Sequence, residues 1–297
     1  MERKTSPLHL WPRFFGLSGL RMKILKELVP GQALEEVTFL RRYKRFLVDV
    51  KRQNGDSVTV HNPNTGSMKS CLKEGARAVI SWKSAEQIKK TGAKLPATLE
   101  LLHSGRGWIG VNTMRTNGIV MAALRKGAIG LDSANATGKK DAASLLGNSA
   151  LNRLKKSMDG SISEPGLKDL DFRPDLYWQG WLLEVKNVTQ LEGDWIQFPD
   201  AVSERGAKHL QSLGKLAKQG FACGVIFALS RPEGKRFRPA AEIDAVFAES
   251  LRKAARSGLY LLPVRFGYGM QGVEYRGTLD YELEEPDPDN PLMQAFT

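Results

Sequence analysis

Asp175-Leu176-Tyr177-Trp178-Gln179-Gly180-Trp181-Leu182-Leu183-Glu184-Val185-Lys186 places two carboxylates and an amine at spacings that suit phosphodiester chemistry. Gln179-Gly180 interrupts two runs of aromatic and aliphatic residues, as a hairpin turn does. A hairpin symmetric about that pair sets Asp175 directly opposite Glu184, with Cβ atoms about 4.5–5.5 Å apart, and a two- or four-residue loop gives the same pairing. Side chains alternate along a strand, so Glu184 and Lys186 share one face while Leu183 and Val185 point into a core. Two facing carboxylates repel unless a cation sits between them. Mg2+ or Mn2+, held by one or two carboxylates plus waters, is the natural occupant. Such an ion polarises a phosphoryl oxygen while Lys186 orients or deprotonates a water. Glu164, upstream, can add a carboxylate from a preceding helix or turn. The competing reading is a salt-bridged surface, Arg173 with Asp175 and Glu184 with Lys186, that carries no chemistry.

Three further segments could contact a polyanion. Arg205, Lys208 and His209 recur at i, i+3 and i+4, so they share one helical face beyond the Glu-x-Lys strand and can meet phosphates beside the metal. An ordinary solvated helix face would read the same way, with His209 as a hydrogen-bonded scaffold residue. In the first half, Arg41-Arg42-Tyr43-Lys44-Arg45-Phe46 gathers four cations around two aromatics. Alternation predicts Tyr43 and Arg45 on one face and Arg42, Lys44 and Phe46 on the other. Cations neutralise phosphates and a ring lies on a base; a strand with one polar side is the plain alternative. His61-Asn62-Pro63-Asn64-Thr65-Gly66-Ser67-Met68 is a polar turn whose backbone donors, with Asn64 among them, can cradle a phosphate.

The elements that must position these groups fall into two blocks. Residues 36–112 read as short strands: a long β-rich run at 36–52, then 57–61, 76–83, 98–104 and 107–112, with Asn54-Gly55-Asp56 as a tight hairpin. Five such strands, the first long enough to bend across two sheets, predict a small OB-fold-like barrel, although an SH3-like barrel would look similar. Residues 114–126 predict a helix, and 127–160, rich in Gly, Ser, Ala and Asn, a linker of low order with one short helix near 149–158. Beyond it come a hairpin at 171–188, a helix opened by Pro199-Asp200 and running to Lys218 with Asp200 as its cap, and a buried strand at 222–229. A helix at 241–256, stopped at Gly258, and a strand at 259–266 complete the pattern. The fold class is α/β overall, an α+β two-domain arrangement whose second domain has a mixed central sheet. The expected boundaries are 1–30 for a basic N-terminal extension, 31–112 for the barrel, 113–160 for helix and flexible linker, 161–279 for the α/β domain and 280–297 for an acidic tail.

Charge separates the same two blocks. The 297 residues are 41% hydrophobic and 26% charged, with net charge +12, which is enough apolar content for a real core. Residues 1–150 carry 25 Lys and Arg against 11 Asp and Glu, whereas 151–297 carry 19 against 21. An electropositive half joined to a near-neutral one suits a polyanion-binding module attached to something else. No apolar run approaches the roughly 18–20 residues needed to cross a bilayer. Cys71 and Cys223, far apart and in apolar settings, and four histidines without ligand spacing leave carboxylates as the only metal ligands. Two isolated thiols also point to a reducing cytoplasm.

Asp followed by Glu-x-Lys on the next strand is the pattern of the PD-(D/E)XK nuclease superfamily. Arg42 to Val50, His61 to Met68, Val111-Asn112-Thr113, Glu184-Val185-Lys186-Asn187-Val188, Pro199 to Leu210, and Arg236 to Ala240 running on to Ile243-Asp244 resemble, in order, motifs of the sugar fermentation stimulation protein A family. The resemblance covers roughly residues 36–265. It implies an N-terminal OB-fold, a C-terminal PD-(D/E)XK-like domain, nuclease activity inferred from that fold, and DNA binding, traditionally as a regulator of sugar (maltose) metabolism genes. Asp175, Glu184 and Lys186 match the family's active-site-like positions, and Glu164 falls where its upstream glutamate does. The chain departs from the pattern at Phe172-Arg173-Pro174-Asp175-Leu176, where the family has Ser-Arg-Ile-Asp-Phe, and the segment before Glu164 is longer than usual. Pro174 removes a strand N–H, so the strand must be an edge or only beginning there. The expectation is a cytoplasmic DNA-binding protein with a Mg2+ or Mn2+ site of nuclease type and no membrane partner. Its rivals are a non-catalytic regulator on a nuclease scaffold, and RNA or another polyanion in place of DNA.

Overall fold

Lys44 and Arg45 have φ angles of 47° and 61°, and this left-handed pair makes a turn inside the run 36–52 that alternation would carry through as one strand. The computed structural model describes residues 24–131, 138–168, 170 and 172–283. Strand β1 (Ile24–Lys26) comes first; it lies in the stretch expected as an extension, and residues 1–23 are outside the described residues. The barrel follows as β2 (Leu34–Tyr43), β3 (Leu47–Lys51), β4 (Ser57–His61), β5 (Arg77–Trp82), helix α1 (Ala85–Thr91), β6 (Ala97–His103) and β7 (Trp108–Gly110). Alternating apolar residues explain these strands: Val48, Val50 and Val60 turn inward with Val37, Phe39, Ile80, Leu99 and Leu102 to form one sealed core. The β3–β4 hairpin turns at Asn54-Gly55, with Gly55 at φ 95° and the Asn54 side chain accepting from the Asp56 N–H. The barrel closes where His61 of β4 pairs with Thr98 of β6. Helix α1 has a full capping box between Ser84 and Gln87 and ends at Gly92, yet buries no residue, so no apolar stripe announces it.

Helix α2 (Thr116–Arg125) packs Ile119, Val120, Ala123 and Leu124 under the sheet. The stretch expected as a loose linker is largely packed. Helix α3 (Asn148–Lys155) contributes Ala150, and the preceding turn contributes Ala142 and Leu146, to the second-half core; residues 132–137 are outside the described residues. Strands β8 (Ser161–Ser163), β9 (Leu176–Trp178), β10 (Trp181–Val188), β11 (Gln190–Glu192) and β12 (Trp195–Phe198) come next. They are followed by α4 (Glu204–Lys218), β13 (Cys223–Leu229), β14 (Arg236–Pro239), α5 (Ala245–Arg256), β15 (Tyr260–Gly269) and β16 (Gly272–Thr278). The central β10, β13 and β15 run parallel, as their near-continuous apolar sequences require. Strands β9 and β8 continue the sheet antiparallel on one side. Leu210, Leu213 and Leu216 of α4 and Phe247 and Leu251 of α5 cover one face, each such side chain contributing about 1.5–3 kcal/mol on burial. The acidic tail begins later than expected: Asp280 and Glu282 still pair with Phe237 of β14, and residues 284–297 are outside the described residues.

The two halves are joined by more than a linker. Among the described residues thirteen strands form one sheet, with β7 of the barrel paired to β15. Gly110 permits that junction, because a Cβ there would sit 2.3 Å from the Tyr268 ring. On the other side, Arg231, only 3% exposed, donates to the carbonyls of Ser70 and Thr189 at 2.9 and 3.1 Å.

Candidate active site

The hairpin forms in the expected register. Trp178 pairs with Trp181, Tyr177 with Leu182 and Leu176 with Leu183, which leaves Asp175 and Glu184 as the next pair outward. Pro174 precedes the first residue of β9, so its missing N–H removes nothing from the ladder. Asp175 continues the ladder with its side chain instead, accepting from the Val185 N–H at 2.8 Å and from Asn117 Nδ2 of α2 at 3.1 Å. Glu184 is 2% exposed. Its Oε1 takes Lys186 Nζ at 2.5 Å and His209 Nδ1 at 2.8 Å, and its Oε2 is buried with no hydrogen-bond partner among the described residues.

Electrostatics push the two carboxyls apart. Burial, and after it the neighbouring Glu184 charge, raises the pKa of Asp175 above the usual range, against the pull of the Val185 N–H and Lys186. Burial also opposes the charge on Glu184, but the His209 hydrogen bond and Lys186 outweigh it and hold that carboxyl below its usual range. The residues fit an oxygen-seeking divalent ion: a buried carboxylate oxygen lacks a partner beside a second carboxylate whose charge is disfavoured. Among the described residues no group of three or more His, Cys, Asp or Glu converges, so such an ion would complete its shell with water, as Mg2+ does. Glu164 sits across the β8–β9 pair, its N–H on the Asp175 carbonyl at 2.7 Å. Its φ of 46° takes it off the strand alternation, and its side chain is exposed.

Helix α4 supplies the other wall. Its cap is Ser203, accepting from Gly206 N–H at 3.1 Å, rather than the expected Asp200. Arg205 and Lys208 are exposed, and Arg205 Nε lies 3.3 Å from His209 Nε2, so Arg205, His209 and Glu184 form one chain of contacts. Of the competing salt-bridged surface, the Glu184–Lys186 bridge is present and the Arg173–Asp175 bridge is not among the ion pairs of the described residues. Asn117 escaped sequence reading because its partner lies 58 residues away and nothing local marks it; His209 was visible only as one polar position on a helix face.

In the barrel, Arg42 points at its own loop, donating to the carbonyls of Arg45, Ser67, Asn64 and Gly66 at 2.8–3.0 Å. Asn64 is 5% exposed and its side chain accepts from Gly66 N–H, so it shapes the turn instead of facing solvent. Tyr43 bonds Asp49 under the Arg41 guanidinium. The side chains presented at the turn are Lys44, Arg45 and Phe46, and Phe46 is 45% exposed. The same loop touches the second half: Asp200 accepts from Met68 N–H at 3.0 Å, and any Cβ at residue 66 would lie 2.3 Å from its carboxylate.

A family model described as the sugar fermentation stimulation protein RE domain matches residues 143–272, and one for the SfsA N-terminal OB domain matches residues 40–111. A sugar fermentation stimulation protein homolog of Pseudomonas putida (strain GB-1) is 39% identical over 243 residues, which is 81% of this chain and 92% of the relative. The chain belongs to the SfsA family. A second member, from Geotalea uraniireducens (strain Rf4), is 33% identical over 83% of this chain and 96% of its own length. The fold is shared with a solved SfsA of Pyrococcus furiosus, in complex with Ca2+, at TM-score 0.67 and 22% identity, covering 88% of this chain and 99% of that one. The OB-fold and mixed-sheet architecture expected from sequence is thus the architecture of the family.

Proposed function

We propose that this SfsA-family chain is a cytoplasmic DNA-binding protein that hydrolyses phosphodiesters with a divalent metal, Mg2+ or Mn2+, held by Asp175 and Glu184. The observation that carries the reading is Glu184 Oε2, buried and unpartnered beside Asp175. The Ca2+ bound by the Pyrococcus furiosus relative supports a divalent-cation site on this fold. A metal there supplies Lewis-acid polarisation of a phosphoryl oxygen and a more acidic bound water. The chain's own residues do the rest. His209 and Lys186 hold Glu184 ionised and fix its rotamer. Asn117 and the Val185 N–H orient Asp175. Lys186, at 17% side-chain exposure, is the group placed to hold an attacking water. Glu164 faces solvent beside Asp175 and can join once a substrate covers it. Lys44, Arg45, Arg205 and Lys208 are the exposed cations that would take phosphates. No helix among the described residues is long and apolar enough to cross a membrane.

The second reading, a non-catalytic DNA-binding regulator of sugar (maltose) genes, is favoured by one feature: Lys186 and His209 both sit on Glu184 Oε1, and the Lys186 ammonium balances its charge without an ion. Labelled single- and double-stranded DNA with Mg2+ or Mn2+ separates the two. Cleavage that disappears in Glu184→Ala is the expected result. Cutting that persists in Glu184→Ala would place the site elsewhere, and binding without cutting would establish the regulator.

A further inference from the structure

A cleft of about 330 Å³ opens between β1, α2 and β8, lined by Lys26, Asn117, Gly118, Arg125, Lys126 and Ser163. Among the described residues no acidic side chain lines it. Arg125 is paired with Asp159 from outside at 2.5 Å, while Lys126 Nζ rests on the Ile24 carbonyl at 3.1 Å. An ammonium on a neutral carbonyl keeps its full charge and two donors. Lys26 reaches over Gly118, its Nζ 3.9 Å from where a Cβ would stand. Asn117 belongs to this cleft and also donates to Asp175 Oδ1, so the cleft is one hydrogen bond from the candidate metal ligand. None of its cations was among the polyanion-binding residues expected from sequence.

We infer that this cleft is the entry subsite for a single nucleic-acid strand, one nucleotide deep, with the phosphate on Lys26 and Lys126 and the sugar or base along Gly118 and Met121. The inference rests on the proposed phosphodiesterase reading and specifies its substrate. Lys26 and Lys126, with no acidic partner among the described residues, select an anionic ligand. The apolar strip of Gly118, Met121 and Ala122 offers nothing to a free phosphate but suits a sugar face or base edge. The volume lies at the small end of ligand clefts, which run about 300–1,000 Å³, and admits one nucleotide unit, not a paired duplex. A strand seated there reaches Asp175 through Asn117, which places the next phosphodiester at the two carboxylates.

The test measures binding of a labelled single-stranded 20-mer and of its duplex against salt concentration, without divalent metal, with Mn2+ affinity measured separately by calorimetry. For single strands each lost phosphate contact lowers the log–log salt slope by about 0.7, so Lys26→Ala with Lys126→Ala, which together release one phosphate, should lower it by about 0.7 and weaken binding about five-fold at 0.1 M salt. Duplex affinity should change less than about twofold, because a cleft at the small end of ligand sites, about 300–1,000 Å³, takes one nucleotide unit and not a pair, and Mn2+ affinity should hold. Gly118→Phe, whose Cβ would meet nothing nearer than the flexible Lys26 tip, should block the single strand alone. An unchanged slope in the double variant, with salt-dependent binding by the parent protein, would overturn the cleft and leave the functional reading standing. An equal loss for the duplex would overturn the single-strand assignment. A parent protein that binds neither nucleic acid would overturn both readings.

Discussion

Glu184 and Asp175 are chemically alike, yet their surroundings treat them oppositely, and that asymmetry can be measured. Asp175 has a raised pKa, so in the metal-free protein its ionised form is disfavoured; the stability tied to its proton is present at low pH and is lost as pH rises through the folded-state value. Asp175→Asn removes the like charge and keeps the hydrogen bond from the Val185 N–H on its one oxygen, but turns its amide nitrogen towards the Asn117 donor and loses that bond. The variant should lose the fall in melting temperature that the metal-free parent shows as pH rises through the Asp175 value, and should not bind Mn2+; scanning calorimetry and titration calorimetry read the two effects. A metal competes with the proton on Asp175, whose pKa is raised, whereas the lowered pKa of Glu184 keeps that carboxyl ionised to lower pH. Mn2+ affinity should thus fall as pH drops through a value above the ordinary aspartate pKa of about 3.9, and a pH-independent affinity between pH 4 and 7 would show that Asp175 is not a ligand.

The hairpin between β9 and β10 was legible from sequence because a short turn fixes register and register fixes which side chains face each other. The same rule misled at Tyr43 to Phe46, where two left-handed residues end one strand and begin another, so alternation no longer reports the face. Helix α1 and the α4 cap were missed because their determinants are local hydrogen bonds, or contacts 132 residues away such as Asp200 with Met68. These contacts define a connected path: Arg42 holds the 62–68 loop, the loop holds Asp200, and the 199–203 turn leads into the helix carrying His209. Asp200→Ala should cost about 1–3 kcal/mol, since it leaves a half-buried N–H unpaired, and should speed hydrogen exchange at Met68. Arg42→Ala should loosen the same loop. Unaltered exchange in both variants would show that the path carries no rigidity.

Across the whole molecule, a sheet that runs from the barrel through β7 into β15, with the buried Arg231 clamping Ser70 to Thr189, makes a packed seam between the two halves, and we expect them to unfold together. The two thiols report on it. Cys71 lies at the seam and Cys223 in the central strand; both are buried and free. Burial pushes Cys223 up to about 12 and raises Cys71 as well, so neither should react with a thiol reagent at pH 8 in the native protein. Both should become reactive at one denaturant midpoint, and two separated midpoints would show that the halves unfold independently. Arg42, bonded to the Arg45 carbonyl and to the 62–68 loop that meets Asp200, links the turn carrying Lys44, Arg45 and Phe46 to the segment that leads into α4.

The most direct measurement is anomalous diffraction from crystals soaked in Mn2+. One peak is expected about 2.1 Å from an oxygen of Asp175 and from Oε2 of Glu184, with Lys186 and His209 still on Oε1. A structure at saturating Mn2+ with no peak between those carboxylates, or with Glu184 Oε2 turned away from the ion, would contradict the account.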